Sequence, residues 1–168
     1  RLKIPSDDRR GTLSDDIASG SPFDDNEWNA DATKLMFVST SRDHKIEKVR
    51  IANALTGEVR EVFEEKVATQ YESGQGSINN HFLDKTNEII WYSERDDWGH
   101  LYLYDANTGK LKNQVTKGNF VVTQLLKIDE KNLESDLKPC VEAQLLADAD
   151  RFYLFLDRDP SQPSTNGT

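Results

Sequence analysis

The sequence predicts an all-β chain, and three observations predict it. Short runs of β-branched and aromatic residues, such as Ile89-Ile-Trp-Tyr-Ser93, suit buried strands. Asn, Asp and Gly cluster between these runs, where hairpins need positive φ. The whole pattern then occurs twice. Ser39 corresponds to Ser93 at a separation of 54, and Thr56-Gly57 to Thr108-Gly109 at 52.

The best-defined unit begins at Phe82-Leu-Asp-Lys-Thr-Asn and continues into the apolar run at 89–93. Glu94 to Gly99 is a polar turn carrying Trp98. Leu101 and Leu103 alternate with Tyr102 and Tyr104 along a second strand. Asp105-Ala-Asn-Thr-Gly109 closes a hairpin, and a third strand runs from Lys110 to Val115. Earlier, Trp28-Asn-Ala-Asp-Ala-Thr-Lys-Leu-Met-Phe-Val-Ser39 leads through Ser-Arg-Asp to Ile46–Ile51, the Thr56-Gly57 turn and Glu58–Val62. Strands are expected at 34–40, 45–52, 58–63, 88–94, 100–105, 110–116 and 120–128.

A repeat of about 50 residues with three or four strands is the length of a β-propeller blade. A duplicated hairpin in a β-sandwich is the other architecture the residues allow; recurrence of both period and turn positions favours the propeller. The expected fold is a partial β-propeller, about three blades of antiparallel four-stranded sheets, spanning 1–132. Its blade-like units are 26–66 and 77–118, and a third begins at 119. Val67 to Gly76 connects the first two, with Gly74-Gln-Gly76 as hinge. A ring needs about four or more blades, so the sequence reads as a piece of a larger propeller, able to self-associate through open blade edges.

Residues 133–168 depart from this grammar. Leu133-Glu-Ser-Asp-Leu-Lys-Pro-Cys-Val-Glu-Ala-Gln-Leu-Leu-Ala favours helix, Arg151-Phe-Tyr-Leu-Phe-Leu156 is strand-like, and the Pro- and Ser-rich end reads as a disordered tail. An irregular C-terminal segment is expected there.

Ser93-Glu-Arg-Asp-Asp-Trp-Gly-His-Leu-Tyr-Leu-Tyr-Asp105, then Gly109-Lys-Leu, then Gln114-Val-Thr-Lys-Gly-Asn-Phe-Val-Val122, resembles a blade of the N-terminal propeller of the dipeptidyl peptidase IV family. That family belongs to the prolyl oligopeptidase clan of serine peptidases. The resemblance covers about residues 20–132 and is strongest over 78–132. It implies a non-catalytic propeller piece that gates and positions short peptides for a C-terminal hydrolase domain, in a bacterial parent working in the periplasm or outside the cell. A stand-alone propeller scaffold binding protein or carbohydrate without hydrolysis is the alternative, and an envelope-assembly propeller a weaker one.

No catalytic residues are assigned. The clan carries its nucleophile in a Gly-x-Ser-x-Gly elbow, and the sequence contains no such string. His44, His81 and His100 make no triad by spacing. The family also holds a substrate's amino terminus with paired glutamates; Glu64-Glu65 is superficially similar, but it sits on a hairpin strand and the role is not transferred. Trp91, Tyr92, Tyr102 and Tyr104, at strand spacing, are expected in the core. Trp98 and Arg95 in the polar turn are the substrate-binding candidates, with packing over the next blade the expected fate of the Trp98 ring.

The net charge of −9 argues against nucleic acid and anionic membrane surfaces as partners. Acidic pairs at Asp7-Asp8, Asp15-Asp16, Asp24-Asp25 and Asp96-Asp97 lack the alternating oxygen ladder of a calcium loop, so no metal or cofactor is expected. No apolar run reaches the length of a membrane span, and no signal peptide is present. Cys140 is the single cysteine, expected to be a structural or incidental thiol.

Overall fold

The structure is a computed structural model and describes residues 2–3, 9–10, 26–72, 79–129, 140–145 and 151–155. Its strands are β1 (Arg9–Arg10), β2 (Asn26–Trp28), β3 (Lys34–Thr40), β4 (Ile46–Asn53), β5 (Val59–Lys66), β6 (His81–Leu83), β7 (Glu88–Ser93), β8 (His100–Asp105), β9 (Leu111–Gln114), β10 (Val122–Asp129), β11 (Cys140–Leu145) and β12 (Arg151–Phe155). Three antiparallel meanders result. The first has five strands, with β1 and β2 both paired to β3, followed by β4 and β5. The second is β6-β7-β8-β9, and the third is β10-β11-β12. Among the described residues no helix is long and apolar enough to cross a membrane.

The repeat is visible in the backbone. Left-handed residues recur in step: Ala32 and Asn87, His44 and Asp97, Gly57 and Gly109. The hairpins at 53–57 and 105–109 are built alike. Asn53 Oδ1 accepts the backbone N–H of Leu55 and Thr56, as Asp105 Oδ1 accepts those of Asn107 and Thr108. Gly57 and Gly109, both at φ 70°, then return an N–H to the carbonyl of residue 53 or 105. Each outer strand also carries one extra residue against its partner, Val62 in β5 and Lys112 in β9.

Alternation along the middle sheet explains the stacking. Ile89 and Trp91 of β7, with Tyr102 and Tyr104 of β8, join Met36, Val38, Val49 and Val62 of the first sheet in one core cluster. Ile90 and Tyr92, with Leu101 and Leu103, join Val122 and Leu125 of the third sheet in another. The middle sheet is thus buried on both faces, which is why β7 reads as an unbroken apolar run rather than an alternating one. Phe63 stacks on Tyr104 at 3.9 Å between centroids and meets Trp91 edge-on at 5.4 Å. The four strand aromatics are core, as their spacing suggested.

Polar side chains fasten consecutive sheets. Glu27 on β2 accepts the Phe82 N–H at 2.6 Å and contacts His81 Nδ1 at 2.8 Å. Asn79, ahead of β6, accepts the Leu125 N–H at 2.5 Å and donates to the Thr123 carbonyl at 3.2 Å. The hairpin glycine matters where the first two sheets meet: a Cβ on Gly109 would lie 1.9 Å from the Val62 carbonyl oxygen.

Several expectations need adjustment. Beyond 132, Cys140–Leu145 is a strand, paired on one side with β10 and on the other with β12. Cross-strand pairing overrides the helix preference of Glu142, Ala143, Gln144 and Leu145. The short first strands β2 and β6 were not anticipated, and β5 runs three residues beyond its expected end. The Gly74-Gln-Gly76 hinge, the acidic pairs before residue 26 and the C-terminal tail lie outside the described residues.

Candidate functional site

The turn from β7 to β8 carries both residues singled out for substrate binding. Ser93 Oγ accepts the Arg95 N–H at 3.2 Å, and the Asp97 N–H closes on the Glu94 carbonyl at 3.1 Å, with Asp97 in the left-handed region at φ 66°. Gly99 ends the turn because a Cβ there would sit 1.9 Å from the Tyr92 hydroxyl. This conformation folds the Arg95 side chain back toward the first sheet. Trp98, expected to pack over the next blade, keeps 41% of its surface exposed.

Arg95 enters a polar cluster at the seam between the first two sheets. Its guanidinium donates to Glu65 Oε2 at 2.7 Å and, through Nε, to Ser93 Oγ at 2.9 Å. It lies 4.4 Å above the Tyr102 ring and 5.7 Å from that of Tyr104. Glu65 also accepts the Trp91 indole N–H at 2.7 Å on Oε2 and the Ser93 hydroxyl on Oε1. One carboxylate therefore carries three donors from the neighbouring blade, charge-assisted hydrogen bonds in a largely desolvated place. The Glu65 charge beside Arg95 raises the guanidinium pKa against the lowering effect of burial.

The same face holds a second acid. Glu47 on β4 lies directly across from Glu65 and accepts the Thr40 hydroxyl at 2.7 Å. Tyr71 is buried near the pair, its N–H on the His44 carbonyl and its hydroxyl on the Tyr92 carbonyl at 2.5 Å. Burial, then Glu65 and Glu47, push the Tyr71 phenol well above its ordinary range, so it is a donor at every working pH. Tyr102 donates to Asp96 Oδ2 at 2.7 Å, and desolvation raises its pKa likewise.

Glu64 and Glu65 diverge, as neighbours on a strand must. Glu64 is 41% exposed and lies 3.9 Å from the Lys48 ammonium, while Glu65 is 8% exposed and saturated. They do not form a two-carboxylate amine clamp. His100 is tied elsewhere, with Nε2 3.0 Å from the Gly118 carbonyl and Nδ1 3.0 Å from Thr116 Oγ1. The carbonyl requires the proton on Nε2, and burial lowers the pKa of the ring. His81 contacts Glu27.

Sequence reasoning missed the role of Glu65. The signal was there in one form: a carboxylate two residues after Phe63, on the face of β5 that packs on Trp91. Periodicity could mark that face as buried, but not which residues of a blade fifty positions on would meet it.

Residues 10–134 match the family described as the dipeptidyl peptidase IV (DPP IV) N-terminal region. Dipeptidyl peptidase 4 of Arthroderma otae is 36% identical over 76 residues, 41% of this chain and 10% of that protein. Among solved structures, a Bacteroides ovatus protein described as a dipeptidyl aminopeptidase IV superposes with a TM-score of 0.54 at 26% identity, over 76% of this chain and 21% of its own. Porphyromonas gingivalis dipeptidyl peptidase 4 gives 0.53 at 22% identity, over 75% and 18%, and supports the fold alone. The chain thus spans about a tenth of the curated relatives it matches and about a fifth of the solved ones. Stacked antiparallel meanders of five, four and three described strands, a repeat kept down to its left-handed residues, and a family match over residues 10–134 place this chain in the dipeptidyl peptidase IV N-terminal region family.

Proposed function

We propose that this chain is the propeller part of a dipeptidyl-peptidase-like serine exopeptidase, and that it restricts and orients short peptides for a hydrolase domain of the same parent. The family match over residues 10–134 carries the reading. The described side chains suit a scaffold role: Trp91, Ser93 and Arg95 of one sheet are all bonded to Glu65 of its neighbour. Chemistry then belongs to the hydrolase domain, and this chain contributes shape. Trp98 and Arg95 are the residues we assign to peptide contact, since they lie on the same rim turn with 41% of Trp98 and 31% of the Arg95 side chain still exposed.

The test uses the full-length parent. Release of Xaa-Pro dipeptides is measured on a chromogenic dipeptide and on a series of longer peptides, for the parent and for Trp98→Ala. We expect KM to change with peptide length in the variant while turnover of the chromogenic dipeptide is kept. Identical length selectivity in parent and variant, with the fold intact by circular dichroism, contradicts the contact role. A parent that releases no dipeptide at all contradicts the exopeptidase reading.

A further inference from the structure

At the opposite rim, the β4–β5 hairpin of the first sheet meets the 84–87 and 105–110 turns of the second. An open groove of about 660 Å³ lies there. Lys3, Lys34 and Arg60 line it, together with Asn87 and Asn107, and Glu58 is the one acid among the lining residues. Three cations against one carboxylate make a local excess of positive charge, in a chain whose net charge is −9.

These cations are not consumed by carboxylates. Arg60 donates to the Ala106 carbonyl at 2.7 Å and the Asn107 carbonyl at 3.2 Å, which fixes its plane but uses two of five N–H donors. Lys34 reaches the Asn87 side-chain oxygen at 3.5 Å. Among the described residues neither ammonium nor guanidinium has a carboxylate within ion-pair distance. Asp31 feels the Lys34 charge, but its carboxylate is already engaged by Thr33 and Asn29.

A guanidinium fixed by backbone carbonyls, with lysines lining the same groove, is an arrangement that receives an oxyanion. We propose that this inter-blade groove binds an oxyanion, the phosphate or carboxylate group of a small solute. It bridges Arg60 and Lys34, with Lys3 adding charge at the edge. Because the site is open to water, binding is weak and falls with ionic strength.

The experiment titrates the full-length parent, isotope-labelled at asparagine, with inorganic phosphate, and separately with succinate, while the side-chain amide resonances of Asn87 and Asn107 are followed. Saturable shifts, with affinity in about the millimolar range, are the expected result. Tighter binding of phosphate points to phosphorylated solutes, and tighter binding of succinate to carboxylates. Lys34→Gln, which keeps the Arg60–carbonyl bonds of the seam, should weaken binding about tenfold. Lys117→Gln, at an exposed site outside the groove, should not. No saturable shift with either anion, or equal affinity in Lys34→Gln and the parent chain, overturns the proposal.

Discussion

Glu65 accepts the indole N–H of Trp91 at 2.7 Å, so the outer strand of one blade is bonded to a central strand of the next. Ser93 and Arg95 complete the junction on the same carboxylate. Together with Glu27 on the Phe82 N–H and Arg60 on the Ala106 carbonyl, this gives the seam of stacked rings a fixed register. Removing the acceptor leaves a buried indole N–H and a half-exposed guanidinium without their partner.

Glu65→Leu should therefore destabilise the chain by about 3 kcal/mol, the cost of buried donors left unmade plus an unpaired cation. The urea midpoint reads this. Glu65→Leu combined with Arg95→Leu should recover part of the loss, because the second change removes the stranded charge. A double variant no better than the single one means the loss comes from packing, not from the cation.

Ala32 occupies a left-handed position at φ 55°, where the equivalent turn of the next blade has Asn87 at 52°. A residue with a Cβ and no local hydrogen-bonding side chain is strained there. Ala32→Asn should stabilise by about 0.5–1 kcal/mol, seen as a raised Tm. An unchanged or lowered Tm shows that the turn does not carry this strain.

Much of this fold was legible from residue types. Turn chemistry at Thr56-Gly57 and Thr108-Gly109, and alternation at Leu101–Tyr104, mark two strand-and-turn units and their period in the residues themselves. Strands β2 and β6 escaped because three residues give no periodicity to read, and each is held from outside: Glu27 on β2 caps the Phe82 N–H of β6. Strand β11 escaped because its residues prefer helix and only its partners make it a strand. At the rim turn, Ser93-Glu-Arg-Asp-Asp-Trp98 was recognisable as a unit, yet nothing in it says that Arg95 turns inward to Glu65 while Trp98 stays exposed. Those facts depend on a contact across thirty residues.

The His100 ring is held neutral by burial, with Nε2–H on the Gly118 carbonyl. Its folded pKa lies below the unfolded value near 6.5. Between the two, the unfolded chain binds the extra proton, so stability rises with pH across that window and is lost on acidification below about 6.5. Replacing His100 by Gln should flatten this part of the profile, measured as urea midpoints from neutral to mildly acidic pH. A profile equally steep in the variant would assign the dependence to other groups.

The middle sheet is covered on both faces by the described sheets, whereas the first and third each meet one described neighbour. Their outer faces and strand edges seek partners. The isolated chain should self-associate at micromolar concentration by light scattering, unlike a protein that carries the whole propeller. A monomer that melts as cooperatively as the whole propeller would make this chain a self-sufficient domain.

Whether the purified 168-residue protein itself cleaves peptides is decided by an activity assay with an Xaa-Pro chromogenic substrate. The sequence holds no Gly-x-Ser-x-Gly elbow, and the Ser93 hydroxyl is spent on Glu65. No turnover above background is predicted. Turnover that survives repurification and is titrated by a serine-directed phosphonate would make the chain itself a serine peptidase.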